Sequence, residues 1–356
     1  MRAGIVIPTL YHGDAVGNDA VGMARVLRRR GVDVLFFNNG SPSPEQVLHV
    51  NDVPAVLTDP DDLLIYHHSI GFEPGVRAIE RTVCRRTAVK YHNVTPPEFF
   101  QDNKKVARGC EEGIAQVGRL ADTRAVMWTD SVYNGEHVQQ FRPGRAFKDL
   151  PPFHHADQLR TIEADHRAVA GFDDWATTIL AVGRVVPNKN LPLAVAAFAD
   201  YRRRFNGRAR LVIAGDQPVP AHATELKECV EQLGQSGHVF ITGKVTTAQL
   251  KGLYLTADVL LVTSQHEGFC VPLVEAMGLQ VPVVAVPATA VPYTGGDAAR
   301  YADADAGELA TQIDAVLSDE RAREVQIARG RQRYDERFST AAIERRFEEL
   351  VDEWLG

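Results

Sequence analysis

Two glutamates, Glu267 and Glu275, bracket an apolar run in the stretch SQHEGFCVPLVEAMG, residues 264–278. The preceding ADVLLVTS reads as a buried strand, QHEGFC as the loop after it and VPLVEAMGL as a helix. Pro272 suits the first turn of that helix, where its missing N–H leaves no bond unmade. The amides around Val271 to Leu273 are then expected to be free donors. On this reading Glu275 stands in the first turn, where the helix dipole favours its charge by roughly 0.3–1 kcal/mol. Glu267 is held in the loop, so the two carboxylates frame an amide-lined pocket from two sides. Such a pocket takes a phosphate on the amides and hydroxyls on the carboxylates, a combination offered by a nucleotide joined to a sugar. Taken singly, each glutamate also reads as an ordinary helix-start or loop carboxylate.

A second set of charges lies in ILAVGRVVPNKNLPLAVAAF. Gly183 ends a strand, and Arg184 and Lys189 occupy the loop before a helix starting near Asn190. Two cations ahead of a helix N-terminus suit an anion. Taken alone, the segment reads rather as a pair of solvated loop cations. Two D-x-D motifs, Asp59/Asp61 and Asp303/Asp305, are read as turn and capping residues, with Asp305 and Glu308 at capping-box spacing. The pairs His67/His68 and His154/His155 are read as non-metal, because adjacent histidines lack the further ligands that a tetrahedral site needs.

These residues need a scaffold that presents strand ends. Short apolar runs alternate with helical patterns: AGIVIPT, VDVLFFN, DDLLIYHHS, TAVKYHNV and RAVMWTDS, then TTILAVGRV, ARLVIAGD, HVFITGKV, ADVLLVTS and VPVVAVP. The alternation predicts parallel sheets covered by helices on both faces. Between the two series, RPGRAFKDLPPFHHADQL is weak in periodicity and reads as a connector. The expected architecture is α/β, with two doubly wound Rossmann-like domains at 1–160 and 170–335 and a ligand site outside the strand ends. The tail STAAIERRFEELVDEWLG, with 336–356 as its span, is expected to close the structure as an amphipathic helix, crossing back to the first domain.

Composition sets outer limits. A net charge of −7 and a pI near 6.0 exclude a chain built mainly to bind nucleic acid. Cys84, Cys110, Cys229 and Cys270 form no C-x-x-C pair, which fits a reduced, cytoplasmic protein. MRAGIVIPTLYHGD turns polar too soon for a signal peptide, and no apolar stretch is long enough to span a bilayer. The arginines of RVLRRR and RTVCRR are cations that could meet anionic lipid, or simply solvated helix ends.

The joint pattern resembles the retaining nucleotide-sugar glycosyltransferases of glycosyltransferase family 4, which have the GT-B fold. The family's glutamate–seven residues–glutamate motif is matched by E-GFCVPLV-E, and its glycine–arginine pair with a following lysine by GRVVPNKN. FITGKVTTAQLKGLYLTADVLLVTS resembles the segment leading into the glutamate loop. The likeness is strong over about 175–335 and weaker before it. It implies a GT-B chain with an interdomain cleft. It implies that Arg184 and Lys189 neutralise the donor diphosphate, that Glu275 holds the ribose, and that Glu267 contacts the donor sugar. The amides of Gly268, Phe269 and Cys270 would assist Glu267, and the helix start at Val271 to Leu273 would bind phosphate. Gly243, Lys244 and Val245 would edge the nucleobase. In the N-terminal half, Gly13 matches the family's glycine loop, Tyr11, His12, Asp14 and Asn18 could face the acceptor, and His92 would lie by the reacting sugar.

The activity so implied is retaining, metal-independent transfer of a hexose from a nucleotide-diphosphate sugar, with a lean towards GDP-mannose or a related GDP-sugar. The acceptor would be a glycan or glycolipid in polysaccharide biosynthesis. No cofactor is expected, since the nucleotide sugar is a substrate, and no nucleic-acid partner. The place of action would be the cytoplasm, with peripheral contact at the inner face of the membrane left open. Alternatives are a UDP- or dTDP-sugar donor with a small-molecule acceptor, an epimerase or phosphorylase on the same fold, and a non-catalytic subunit that binds nucleotide sugar. A phosphorylase would need a pyridoxal-binding lysine, for which no motif is present.

Overall fold

The computed structural model describes residues 1–11, 14–41, 43, 45–165 and 177–355. The chain divides into two compact units, Met1–His155 with Thr340–Gly356, and Ala156–Ser339. The division falls at 155/156, where 160 was expected: Ala156–Thr161, which begins within the expected connector, is a helix of the second unit.

In the first unit the strands are β1 (Arg2–Val6), β2 (Asp33–Asn38), β3 (Val47–His49), β4 (Leu63–His68), β5 (Arg86–Tyr91), β6 (Val126–Thr129) and β7 (Lys148–Asp149). They form one parallel sheet in the order β3-β2-β1-β4-β5-β6-β7. The order runs outward both ways from β1 and β4, the doubly wound pattern. Both faces are covered, which is why β4 is buried at every position and reads as a continuous apolar run ending in histidines. Side-chain alternation sorts the faces. Leu63 and Ile65 pack with Ala20, Met23 and Leu27 of the helix Ala15–Arg29. Leu64 and Tyr66 pack on the opposite side with Val76, Ile79 and Val117.

The C-terminal helix Thr340–Leu355 joins the first of these faces through Ile343, Phe347, Leu350 and Val351. The rings of Trp128 and Trp354 meet edge-on at 5.1 Å. Its carboxylates pair with arginines of RVLRRR, one of the two clusters that the sequence offered to lipid. Glu344 pairs with Arg25 at 3.2 Å and Arg29 at 2.8 Å, and Asp352 pairs with Arg30. The RVLRRR cluster is thus largely neutralised within its own unit. No helix among the described residues is long and apolar enough to cross a membrane.

In the second unit the strands are β8 (Thr177–Val182), β9 (Ala209–Ala214), β10 (Val239–Gly243), β11 (Val259–Val262), β12 (Val283–Ala285) and β13 (Arg300–Tyr301). They form a parallel sheet in the order β10-β9-β8-β11-β12-β13, again doubly wound. One close approach at the strand ends depends on glycine. A Cβ on Gly215 would lie 1.9 Å from the carbonyl oxygen of Gly183, and Gly215 has φ +159°.

Candidate active site

The second unit gathers its charged residues at the carboxyl ends of β8 and β11, beside the switch point of the sheet. After β8, the turn Pro187–Lys189 ends at Asn190, a left-handed residue with φ +48°. After β11 comes Thr263–Cys270, then the helix Val271–Gly278. The two loops are tied together. The Asn188 side-chain amide donates to the carbonyl of His266 at 3.1 Å, and Gln265 N–H donates to the carbonyl of Asn188 at 2.8 Å.

This tie brings Lys189 and Glu267 together. Lys189 Nζ lies 2.5 Å from Glu267 Oε1, and the Ser264 hydroxyl donates to the same oxygen at 2.7 Å. Burial opposes the Lys189 charge, but the carboxylate beside it wins and its pKa is raised. Glu267 Oε2 is left without a partner among the described residues, as a free acceptor. Arg184 is exposed and its side chain has neither hydrogen bond nor ion pair among the described residues, so its guanidinium is available to an anion.

Glu275 departs from its expected place. It is the fifth residue of the helix Val271–Gly278, in the second turn, and the first turn carries no acid. Tyr254 fixes it instead: the phenol of the helix Thr247–Thr256 donates to Glu275 Oε2 at 2.8 Å. Burial raises the Glu275 pKa above its ordinary value, and the Tyr254 hydrogen bond offsets only part of that. The helix start also offers fewer free donors than expected. Pro272 has none, and Leu273 N–H already donates to the carbonyl of Cys270 at 3.1 Å. Val271 keeps the position at which a helix amide lacks an intrahelical acceptor. Cys270 is a left-handed N-cap with φ +73°, and its buried thiol is pushed up in pKa by that burial. The side chains of Phe269 and Leu273 belong to the core, so each can serve a ligand only through its backbone.

Gly243 adopts φ +69°, and its carbonyl accepts from Gly215 N–H at 3.0 Å. Lys244 beside it is exposed, while Val245 leans on the core. Two residues that the sequence reading passed over hold the glutamate loop from its other side. Thr289 Oγ accepts from Glu267 N–H at 2.8 Å and donates to the Glu267 carbonyl at 2.9 Å; the Thr294 hydroxyl donates to the carbonyl of Phe269 at 2.5 Å. A left-handed φ of +50° at Thr289 marks the same loop. No local sequence pattern flags a threonine that caps a loop 22 residues away.

In the first unit, Tyr11 is exposed, and Asp14 is the N-cap of the helix Ala15–Arg29, accepting from Gly17 N–H at 3.3 Å. Asn18 is half-buried in that helix's first turn. His12 and Gly13 lie outside the described residues. His92 follows β5, with Nδ1 at 2.9 Å from Asp130 Oδ2 and Nε2 at 2.9 Å from His67 Nδ1. Both ring nitrogens are therefore committed to protein partners, so a ring contact to a sugar requires one of them to be given up. Around them lies a buried polar group that the sequence reading did not assemble. Lys90 Nζ donates to Asp130 Oδ1 and to the carbonyl of Leu150, both at 2.5 Å, and Asp19 faces both histidines. Burial raises Asp19 to about 6. Burial also opposes the charge of Asp130, but His92 and Lys90 hold its pKa below the ordinary value.

Each D-x-D motif holds the local role expected of it. Asp305 accepts from Glu308 N–H at 2.9 Å as a helix cap, and Asp59 accepts from Asp61 N–H at 2.9 Å within a turn.

Two doubly wound Rossmann-like units in one chain match the GT-B fold, and solved structures share it. Anabaena HepE in complex with UDP-glucose superposes with a TM-score of 0.73 over 99% of this chain and 100% of its own, at 18% identity. Residues 163–333 match the family described as glycosyl transferases group 1. Over 157 residues it is 31% identical to O-antigen chain mannosyltransferase B of Escherichia coli, covering 44% of this chain and 41% of that protein. Over 329 residues it is 23% identical to the lipopolysaccharide 1,2-N-acetylglucosaminetransferase of Salmonella typhimurium, covering 88% of this chain and 78% of that protein. The first of these matches spans less than half of the relative's length.

Proposed function

We propose that this protein is a retaining glycosyltransferase that moves a hexose from a nucleotide-diphosphate sugar to a glycan or glycolipid acceptor. The observation that carries the reading is the group at the ends of β8 and β11: an unpaired Arg184, the Lys189–Glu267 pair with Glu267 Oε2 open, and the Val271 amide. Cations and helix amide meet the diphosphate, so its growing charge is stabilised without a metal at that position. Glu267 Oε2 accepts from a sugar hydroxyl. Glu275, held by Tyr254, accepts from the ribose. The backbone at Gly243 to Val245 edges the base.

Transfer with retention runs at one face of the sugar. The bond between the anomeric carbon and the phosphate oxygen breaks, the acceptor oxygen bonds to that carbon on the same face, and the acceptor proton passes to the departing phosphate oxygen. No carboxylate here needs to form a covalent bond to the sugar. The matched relatives act in O-antigen and lipopolysaccharide assembly by their names, and the mannosyltransferase among them supports a mannosyl donor.

The test is calorimetric titration with GDP, UDP, dTDP and ADP, with and without magnesium, followed by donor turnover with added acceptors. Binding of GDP without magnesium, and turnover only when acceptor is present, are expected. Binding strictly dependent on magnesium refutes the metal-free diphosphate site. Turnover without acceptor points to an epimerase, and binding without any turnover to a non-catalytic subunit.

A further inference from the structure

The buried group in the first unit contains a triangle that hydrogen bonding does not complete. His67 Nδ1 and His92 Nε2 lie 2.9 Å apart, and Asp19 Oδ2 lies 3.7 Å from each. The point equidistant from the corners of a triangle with sides 2.9, 3.7 and 3.7 Å is about 2.0 Å from every corner, the bond length of a zinc-like ion to imidazole nitrogen or carboxylate oxygen. The three residues come from three elements: Asp19 from the helix Ala15–Arg29, His67 from β4 and His92 from the residue after β5. All three are buried, Asp19 and His67 completely.

A proton shared between the two imidazoles would satisfy the nitrogens and leave the carboxylate oxygen stranded. Asp19 Oδ2 is a buried atom with no hydrogen-bond partner, and the nearest cation, Lys90 Nζ, stands off at 3.9 Å. A buried carboxylate oxygen left in that condition is costly. The outer contacts are those that orient a metal-bound imidazole. With its ring proton on Nδ1, His92 donates to Asp130 Oδ2 at 2.9 Å and turns the Nε2 lone pair towards the other two ligands. The other oxygen of Asp19 accepts from Phe153 N–H at 2.8 Å, which fixes the carboxylate. Without an ion, the His67 ring proton sits on Nδ1 and bridges to His92 Nε2; an ion on Nδ1 moves it to Nε2, a buried atom with no hydrogen-bond partner in this structure. Asp19 and Asp130 against Lys90 leave a net negative charge for a cation to meet.

We propose that Asp19, His67 and His92 form a binding site for one divalent first-row transition ion, zinc being the type, in place of the proton between the imidazoles. Strand alternation explains why the His67/His68 pair did not reveal it. His68 projects to the opposite face, where Nε2 meets the carbonyl of Gly113 at 2.9 Å, while His67 joins residues far away in sequence. The ion ties the helix Ala15–Arg29 to the ends of β4 and β5. It belongs to the first unit and takes no part in the diphosphate site proposed on the second.

The test uses the full chain stripped with a chelator and titrated with cobalt(II), whose visible d–d absorption reports its ligands. One cobalt per chain, the intense bands of low-coordinate cobalt, displacement by zinc and a raised melting temperature are expected. Asp130→Asn, which leaves all three ligands in place, should weaken the ion by about 10–100-fold. His67→Gln and Asp19→Asn should abolish the bands. Absence of bands and of stabilisation in the wild-type chain overturns the proposal without requiring any variant to fold. So does a spectrum unchanged in Asp19→Asn.

Discussion

Glu267→Gln keeps the shape of the side chain and removes its charge from Lys189. The pair is nearly enclosed, with side chains 18% and 10% exposed and nitrogen and oxygen 2.5 Å apart. At that separation the gross attraction is about 7 kcal/mol for an effective dielectric constant near 20. Desolvation of both groups cancels much of it, and removing one partner of such a pair costs about 3–5 kcal/mol, mostly by stranding the other charge. Taking about 3 kcal/mol, a unit of this size should melt roughly 6–12 °C lower. Lys189 is then released to an anion, so nucleoside diphosphate should bind as tightly as to wild type or more so. It should also raise the melting temperature of the variant by more than that of wild type. Turnover should fall by about a hundredfold or more, because the sugar loses a charged acceptor.

The assays are thermal unfolding with and without nucleoside diphosphate, calorimetric titration, and initial rates. The double variant Lys189→Met/Glu267→Gln closes the cycle, with a coupling of about 0.5–3 kcal/mol expected. A Glu267→Gln protein that melts with wild type refutes the pairing as an energetic contact. One that loses nucleoside diphosphate binding along with turnover refutes the division of labour between Lys189 and Glu267.

Tyr254→Phe removes the one donor to Glu275 Oε2 and should weaken nucleotide binding about tenfold, in line with a lost charge-assisted hydrogen bond. Because burial raises Glu275, the folded chain holds that proton above the pH at which the unfolded chain releases it. The Glu275 contribution to stability therefore falls as pH rises through that window, while nucleotide affinity rises as the carboxylate forms; calorimetry across the acid range checks both signs. Thr289→Val keeps the volume but removes both hydrogen bonds to the Glu267 backbone, and should cost about 1–3 kcal/mol in urea unfolding, with turnover hit harder than nucleotide affinity. His68, buried and lowered from 6.5 to about 4, should cost the fold about 3 kcal/mol as pH falls between those values, because the unfolded chain takes the proton first. Replacing it with Gln should flatten that part of the urea midpoint against pH; an unchanged slope rules out His68 as a source.

What the sequence disclosed and what it withheld divide along a physical line. The strands were legible because both faces of each parallel sheet are buried, so β4, β8, β9 and β11 are written mostly in apolar residues without polar alternation. Glu267, Lys189 and Arg184 were legible because a doubly wound sheet delivers the residues after its central strands to one edge, and those loops directly follow the runs. Position within a loop was not. The helix start at Val271 was read correctly, but Glu275 was assigned to its first turn when it is the fifth residue, and the partner that fixes it, Tyr254, lies on another helix. Asn188, Thr289 and Thr294 work by bonding backbone carbonyls and amides of a distant loop, and a backbone acceptor has no residue type to read. The group around His92 failed differently. Its members are common residues spaced across the first 130 positions, and only the pleat of β4, the register of β5 and the turn of one helix aim them at a single point. Adjacent histidines suggested a site of their own, but a strand sends neighbours to opposite faces. The pairing that matters, His67 with His92, could be drawn only once β4 was known to lie beside β5.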